Sequence, residues 1–179
     1  AGFPPGAVNI LCGLGKEAGV ALSSHPDVNQ IVFTGSVTTG SAIASAAAKN
    51  IVPCTLELGG KSAAIVYDDA DIDNLIDSIR WGIFYNAGQV CSAMSRVIVP
   101  QNLHGEISER AGELAKSLSV GPGSERTEFG FNMGSMISEL QRDRALALCQ
   151  KAQIEGATTV TGGHKLNRPG WFLEPTAFN

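Results

Sequence analysis

Gln30-Ile31-Val32-Phe33-Thr34-Gly35-Ser36 leads into an Ala-rich run over 38–49 and then into the apolar run 51–58, and this stretch decides the fold class. The patterning predicts a strand over 30–33 closed by Thr34-Gly35-Ser36, a helix over 38–49, and a strand over 51–58. Pro53 suggests an edge position or an irregular start for that last strand. Toward the N-terminus, 8–11 reads as a strand, Gly13-Leu14-Gly15 breaks it, and 16–23 reads as a short helix. Toward the C-terminus, 63–67 is strand-like, and Asp68-Asp69-Ala70-Asp71 supplies an acidic helix start suited to the helix dipole. Ile72, Leu75, Ile76 and Ile79 then mark an apolar helix face. Further strands are expected over 96–99 and 158–161, and helices over 103–118 (a surface helix of mixed charge) and 139–155. Turns are expected at 121–124 and 162–163, and extended chain over 171–179. Strands alternating with helices indicate an α/β layout with a largely parallel sheet.

The chain has 179 residues, 44 % hydrophobic and 17 % charged, with a net charge of −4. Those values describe a globular chain with a core, not a disordered one. Without a basic cluster, nucleic acid and anionic membranes are poor partners. No apolar run approaches the roughly 20 residues that span a bilayer, and no signal-peptide pattern is present. Cys12, Cys54, Cys91 and Cys149 are irregularly spaced and form no C-x-x-C pair. A disulfide framework or a metal site is therefore not expected, and a reducing, cytoplasmic setting fits. Three of the four thiols are expected to be small buried apolar residues.

Two runs carry candidate chemistry: Glu57-Leu58-Gly59-Gly60-Lys61, and Gly88-Gln89-Val90-Cys91-Ser92. Cys91 follows a helix end, where loops held on a scaffold often present reactive groups, although a core cysteine is the plainer reading. Glu57 is an acid in an apolar strand end. It is either paired, with Lys61 the obvious partner, or used as a base whose pKa burial would raise. Arg96 could assist Cys91 electrostatically or serve as a structural ion-pair partner. Ser36, between strand and helix, could cap the helix or help hold an anion at its N-terminus. Gly13-Leu14-Gly15 with Gly19 is an imperfect G-x-G-x-x-G, its third glycine one place late. His25, His104 and His164 suggest neither a triad nor a metal site. Trp81, Phe84 and Tyr85 fall on one helix and are expected in the core, the alternative being that one of them lines a substrate tunnel.

These two signatures together resemble those of the NAD(P)-dependent aldehyde dehydrogenases. Pro4-Pro5-Gly6-Ala7-Val8-Asn9, Ser24-His25-Pro26-Asp27-Val28, Phe33-Thr34-Gly35-Ser36 and Leu173-Glu174-Pro175-Thr176 extend the resemblance over essentially the whole chain. The resemblance implies part of a Rossmann-type cofactor domain over 1–59, followed by part of an α/β catalytic domain over 60–179. It implies that Cys91 attacks the aldehyde carbon and that Glu57 activates the water that hydrolyses the resulting thioester. It places NAD or NADP against Gly15, Gly19, Gly35, Ser36, Leu58 and Gly59. It also implies a parent protein more than twice as long, forming a homo-dimer or homo-tetramer. The alternatives are an inactive fragment, or a family member retained for binding or structure. A cofactor-free cysteine hydrolase is disfavoured, because no histidine is placed to activate the thiol.

Overall fold

The computed structural model describes residues 2–124 and 133–179. They form two compact units, one ending at Gly59 and the other spanning Gly60–Asn179.

In the first unit, a π-turn over Gly15–Gly19 runs into helix α1, Val20–Ser23. Strand β1 (Ile31–Gly35) leads to helix α2 (Val37–Lys49), and strand β2 (Cys54–Leu58) returns parallel to β1. The ladder pairs Ile31 with Cys54, Thr34 with Glu57 and Gly35 with Leu58. Side chains alternate across it, so Ile31, Phe33, Leu56 and Leu58 turn toward cover while Val32, Thr34, Thr55 and Glu57 face solvent. Helix α2 supplies that cover. Its Gly40 and Ala47 are buried, and a Cβ at Gly40 would come within 2.7 Å of a Leu58 methyl.

Two expectations fail in this unit. Residues 8–11 form no strand: Val8, Ile10 and Leu11 are exposed, and no strand among the described residues pairs with them. An apolar pattern does not make a strand unless a neighbour accepts its backbone hydrogen bonds. The strand expected over 51–58 begins only at Cys54. Ile51 instead takes a left-handed φ of 56°, in a turn closed by Val52 N–H donating to the Ala47 carbonyl at 3.0 Å.

In the second unit, β3 (Ala63–Ile65) pairs parallel with β4 (Arg96–Ile98). Helix α3 (Ile72–Ile79) starts at Asp71, whose carboxylate accepts the Asn74 N–H at 3.1 Å. Such a cap contributes about 1 kcal/mol. Helix α4 (His104–Ser117) is more than a surface helix, because Ile107, Leu114 and Ala115 are buried. Ile79, Phe84, Leu114, Ala115 and Met133 make the core, with Leu75, Ile76, Val97 and Ala111 packed around it. Helix α5 (Glu139–Ile154) is capped by Ser138. Strands β5 (Thr159–Thr161) and β6 (Ala177–Phe178) pair antiparallel. Gly162, at φ 75°, sits where the Pro175 carbonyl would collide with any Cβ.

Beyond Ile79 the chain leaves α geometry for a π-turn over Arg80–Phe84. Of three aromatics expected together in the core, Phe84 is buried, whereas Trp81 and Tyr85 are each 53 % exposed; Tyr85 lies beyond the π-turn, where ψ of 134° has left helical geometry.

Candidate active site

Cys91 is reached through an improbable piece of backbone. The turn Tyr85–Gly88 holds Asn86 and Ala87 at φ 53° and 55°, and Gly88 follows at φ 72°. Left-handed geometry costs an ordinary L-residue about 1–2 kcal/mol, less for asparagine, so something must hold these residues there. Gln89 does. Its backbone N–H donates to the Asn86 carbonyl at 3.1 Å, and its own carbonyl accepts the Asn86 side-chain amide at 3.1 Å. Its side-chain amide nitrogen donates to the carbonyls of Asn86 at 3.0 Å and Ser135 at 3.3 Å. Its amide oxygen accepts the Ile137 N–H at 2.8 Å.

A tight turn then carries the thiol outward. Ala93 N–H donates to the Val90 carbonyl at 3.1 Å, and Met94 N–H to the Gly82 carbonyl at 2.9 Å. Ala93 is buried and the Met94 side chain lies on Gly82, so the far side of the turn is anchored. Cys91 stays exposed. A Cβ on Gly60 would lie 3.7 Å from the Cys91 carbonyl oxygen, so the two backbones run close together. Arg96 is exposed. Its Nε donates to the Lys61 carbonyl at 3.0 Å, tying the start of β4 to the segment before β3.

Glu57 lies one residue before the end of β2, on the face away from α2, and is exposed rather than buried in an apolar strand end. Strand alternation is the reason: Leu56 and Leu58 take the covered face, and the acid between them must face the other way. The Lys61 ammonium donates to the Gly60 carbonyl at 2.9 Å.

Ser36 is the N-cap of α2, with Oγ accepting the Thr39 N–H at 3.2 Å and donating to Thr39 Oγ1 at 2.9 Å. Ser36 through Thr39 are exposed, so this helix start is open to a ligand. The glycines divide into two kinds. A Cβ at Gly15, Gly19 or Gly59 would meet nothing within 4 Å, so a group could approach the backbone there. A Cβ at Gly35 would fall 2.5 Å from the Phe33 ring, so a larger residue there would have to displace that side chain.

The other titratable groups are dispersed. Among the described residues no cluster of three or more His, Cys, Asp or Glu could hold a metal ion. His25 is exposed, and its Nδ1 accepts the Asp27 N–H at 3.2 Å. His104 lines an apolar cavity of about 270 Å³ with Ile83, Phe84 and Ile107. No cysteine is fully buried: Cys12 is exposed, and Cys54 and Cys149 are half-buried. Partial burial pushes the Cys149 thiol up from its ordinary value.

The anchoring by Gln89 was not foreseen from sequence. Asn86, two places before Gly88, was the available signal, since asparagine tolerates left-handed backbone. The partners at Ser135 and Ile137 lie 46 and 48 residues away, and no local pattern announces them.

The fold and these sites define an α/β chain that presents an exposed thiol on one unit and an open helix start on the other. The Aldehyde dehydrogenase family matches residues 1–179, and the chain belongs to that family. It is 45 % identical over 180 residues to an aldehyde dehydrogenase of Davidiella tassiana, covering 100 % of this chain and 36 % of that protein. It is 41 % identical over 177 residues to the chloroplastic betaine aldehyde dehydrogenase of Beta vulgaris, covering 98 % of this chain and 35 % of that one. The NAD+ complex of an aldehyde dehydrogenase from Bacillus cereus superimposes with a TM-score of 0.94 at 40 % identity, over 99 % of this chain and 35 % of that one. The chain thus spans little more than a third of the length of these relatives. The expected α/β fold of this family is observed. Among the described residues no helix is long and apolar enough to cross a membrane.

Proposed function

We propose that the full-length protein containing this chain oxidises an aldehyde to a carboxylic acid, with NAD or NADP as acceptor. The observation that carries this reading is an exposed Cys91 on a rigidly anchored turn, in a chain that matches the family throughout. In this reading 1–59 belongs to the cofactor domain and 60–179 to the catalytic domain. The protein acts as a homo-dimer or homo-tetramer in a reducing compartment such as the cytoplasm.

The chemistry follows from the side chains. Cys91 Sγ bonds to the aldehyde carbon, and the Cys91 backbone N–H donates to the developing oxyanion. The nicotinamide cofactor, when bound, supplies the two-electron acceptor that leaves Cys91 as a thioester. Glu57 takes a proton from water as that water attacks the thioester carbonyl; the C–S bond then breaks with its electron pair on sulfur, and the proton held by Glu57 passes to that sulfur, restoring the thiol and the free carboxylate. The residues present fit a dinucleotide. Ser36 Oγ and the exposed first turn of α2 suit its pyrophosphate, because unpaired N–H groups and the dipole favour an anion there. Gly15, Gly19 and Gly59 leave room for its close approach to backbone. Leu58 offers only its backbone, since its side chain packs under Gly40. Gly35 is the last residue of β1, directly before Ser36.

Rapid mixing of full-length variants with aldehyde and cofactor tests the two roles. Cys91→Ala abolishes oxidation. Glu57→Gln gives one turnover's worth of reduced cofactor and then stalls as acyl-enzyme. Continued turnover of Cys91→Ala, or full steady-state turnover of Glu57→Gln, overturns the respective role.

A further inference from the structure

We propose that Gln89 is the positioning residue for Cys91, holding the nucleophile's turn in register with 135–137; this rests on the reading of Cys91 as nucleophile. The local sequence cannot hold the turn unaided, because three consecutive residues before Gln89 have positive φ and only Gly88 is a glycine. Gln89 supplies the long-range restraint. One end of its amide donates to Ser135 and Asn86, and the other accepts from Ile137. Both ends are used at once, which only a group with a donor and an acceptor can do. Gln89 is half-buried, and Cys91 is two residues further along the same backbone. A slackening of this clip is therefore transmitted to Sγ without touching the substrate or the thiol.

The side-chain alternatives separate these contributions. Gln89→Glu keeps the acceptor for Ile137 and removes both donations, turning two attractive contacts into carboxylate–carbonyl repulsions. Gln89→Met keeps the length and removes all of the side-chain hydrogen bonds. Because a misplacement of about 1 Å costs on the order of a hundredfold in rate, both variants should lose roughly ten- to hundredfold in kcat.

The experiment uses the full-length protein and four variants: Gln89→Glu, Gln89→Met, Cys91→Ala and Ala47→Gly. Ala47 is buried in α2 of the first unit, whereas the clip lies in the second; glycine in a helix interior costs about 1 kcal/mol, so Ala47→Gly controls for destabilisation alone. Steady-state kinetics gives kcat and KM, and peptide mass spectrometry follows the pH dependence of Cys91 alkylation by iodoacetamide. In both Gln89 variants kcat falls, the KM for cofactor stays within about twofold of the parent value, and the alkylation profile of Cys91 moves. In Ala47→Gly the profile does not move. Parental kcat and profile in the Gln89 variants overturn the proposal, as does an equal loss of kcat with an unmoved profile in Ala47→Gly and the Gln89 variants. Activity in Cys91→Ala would instead refute the nucleophile, a failure read separately from that of the clip.

Discussion

Replacing Ser36 by aspartate should separate the two tasks assigned to that residue. As N-cap of α2, Ser36 accepts the Thr39 N–H at 3.2 Å. Aspartate caps as well as serine, and its charge at a helix N-terminus adds about 0.3–1 kcal/mol. The folded unit therefore loses nothing, and thermal unfolding should show an unchanged or slightly raised midpoint. A cofactor pyrophosphate docked on the same turn meets the new carboxylate as a like charge. Two unit charges 4 Å apart interact by about 1 kcal/mol in bulk water and about 4 kcal/mol at an effective dielectric of 20. The cofactor Kd should then rise between about 5-fold and about 1000-fold, and Ser36, being exposed, belongs nearer the lower end at high salt. Ser36→Ala gives the complementary result: it loses about 1 kcal/mol of cap and weakens cofactor less than aspartate does. Calorimetric titration of the full-length protein, at two salt concentrations beside thermal melts, reads both quantities. A Ser36→Asp protein that melts normally and binds cofactor as tightly as the parent would refute the placement of the pyrophosphate at α2.

Two further expectations concern stability. Leu114 is 5 % exposed in the core of the second unit, and Leu114→Ala should cost about 2–5 kcal/mol, seen as a lower urea midpoint in the full-length protein; a change below 1 kcal/mol, on the order of a surface substitution, would contradict the assigned core. Ile51 is 91 % exposed at φ 56°, so Ile51→Asn gives up little burial and relieves strain, and should stabilise by about 1 kcal/mol; an unmoved or lowered midpoint would count against a left-handed turn there.

The sequence was most legible where one residue decides a local structure. Asp71 and Ser36 cap the helices expected after them, and Ile72, Leu75, Ile76 and Ile79 turn inward as their spacing requires. It misled where the outcome depends on distant partners or on a change of helical period. The apolar pattern at Val8, Ile10 and Leu11 could not show that no neighbouring strand would accept it. The helix expected to carry Trp81, Phe84 and Tyr85 together leaves α geometry after Ile79 and ends before Tyr85, and nothing in Arg80-Trp81-Gly82 marks that change in advance. At the site, Cys91 and Glu57 stood out by chemistry and flanking glycines. The exposure of Glu57 and the grip of Gln89 on 135–137 are products of strand alternation and long-range folding, so neither could be read from a local window.

The parallel pairing of β1 with β2 has a consequence for how this protein can vary. Both strands point the same way, so Ser36 and the run from Glu57 to Gly59 leave the ladder at one end, while the turn between Asn50 and Pro53 sits at the other. Extra residues at that turn would lengthen the edge remote from Ser36 and Glu57, and doubling a loop costs only about 0.6 kcal/mol in closure entropy. The turn after α2 is therefore the natural place for this lineage to accept insertions, and for an experimenter to attach a reporter, without moving the end of the ladder assigned to cofactor and water.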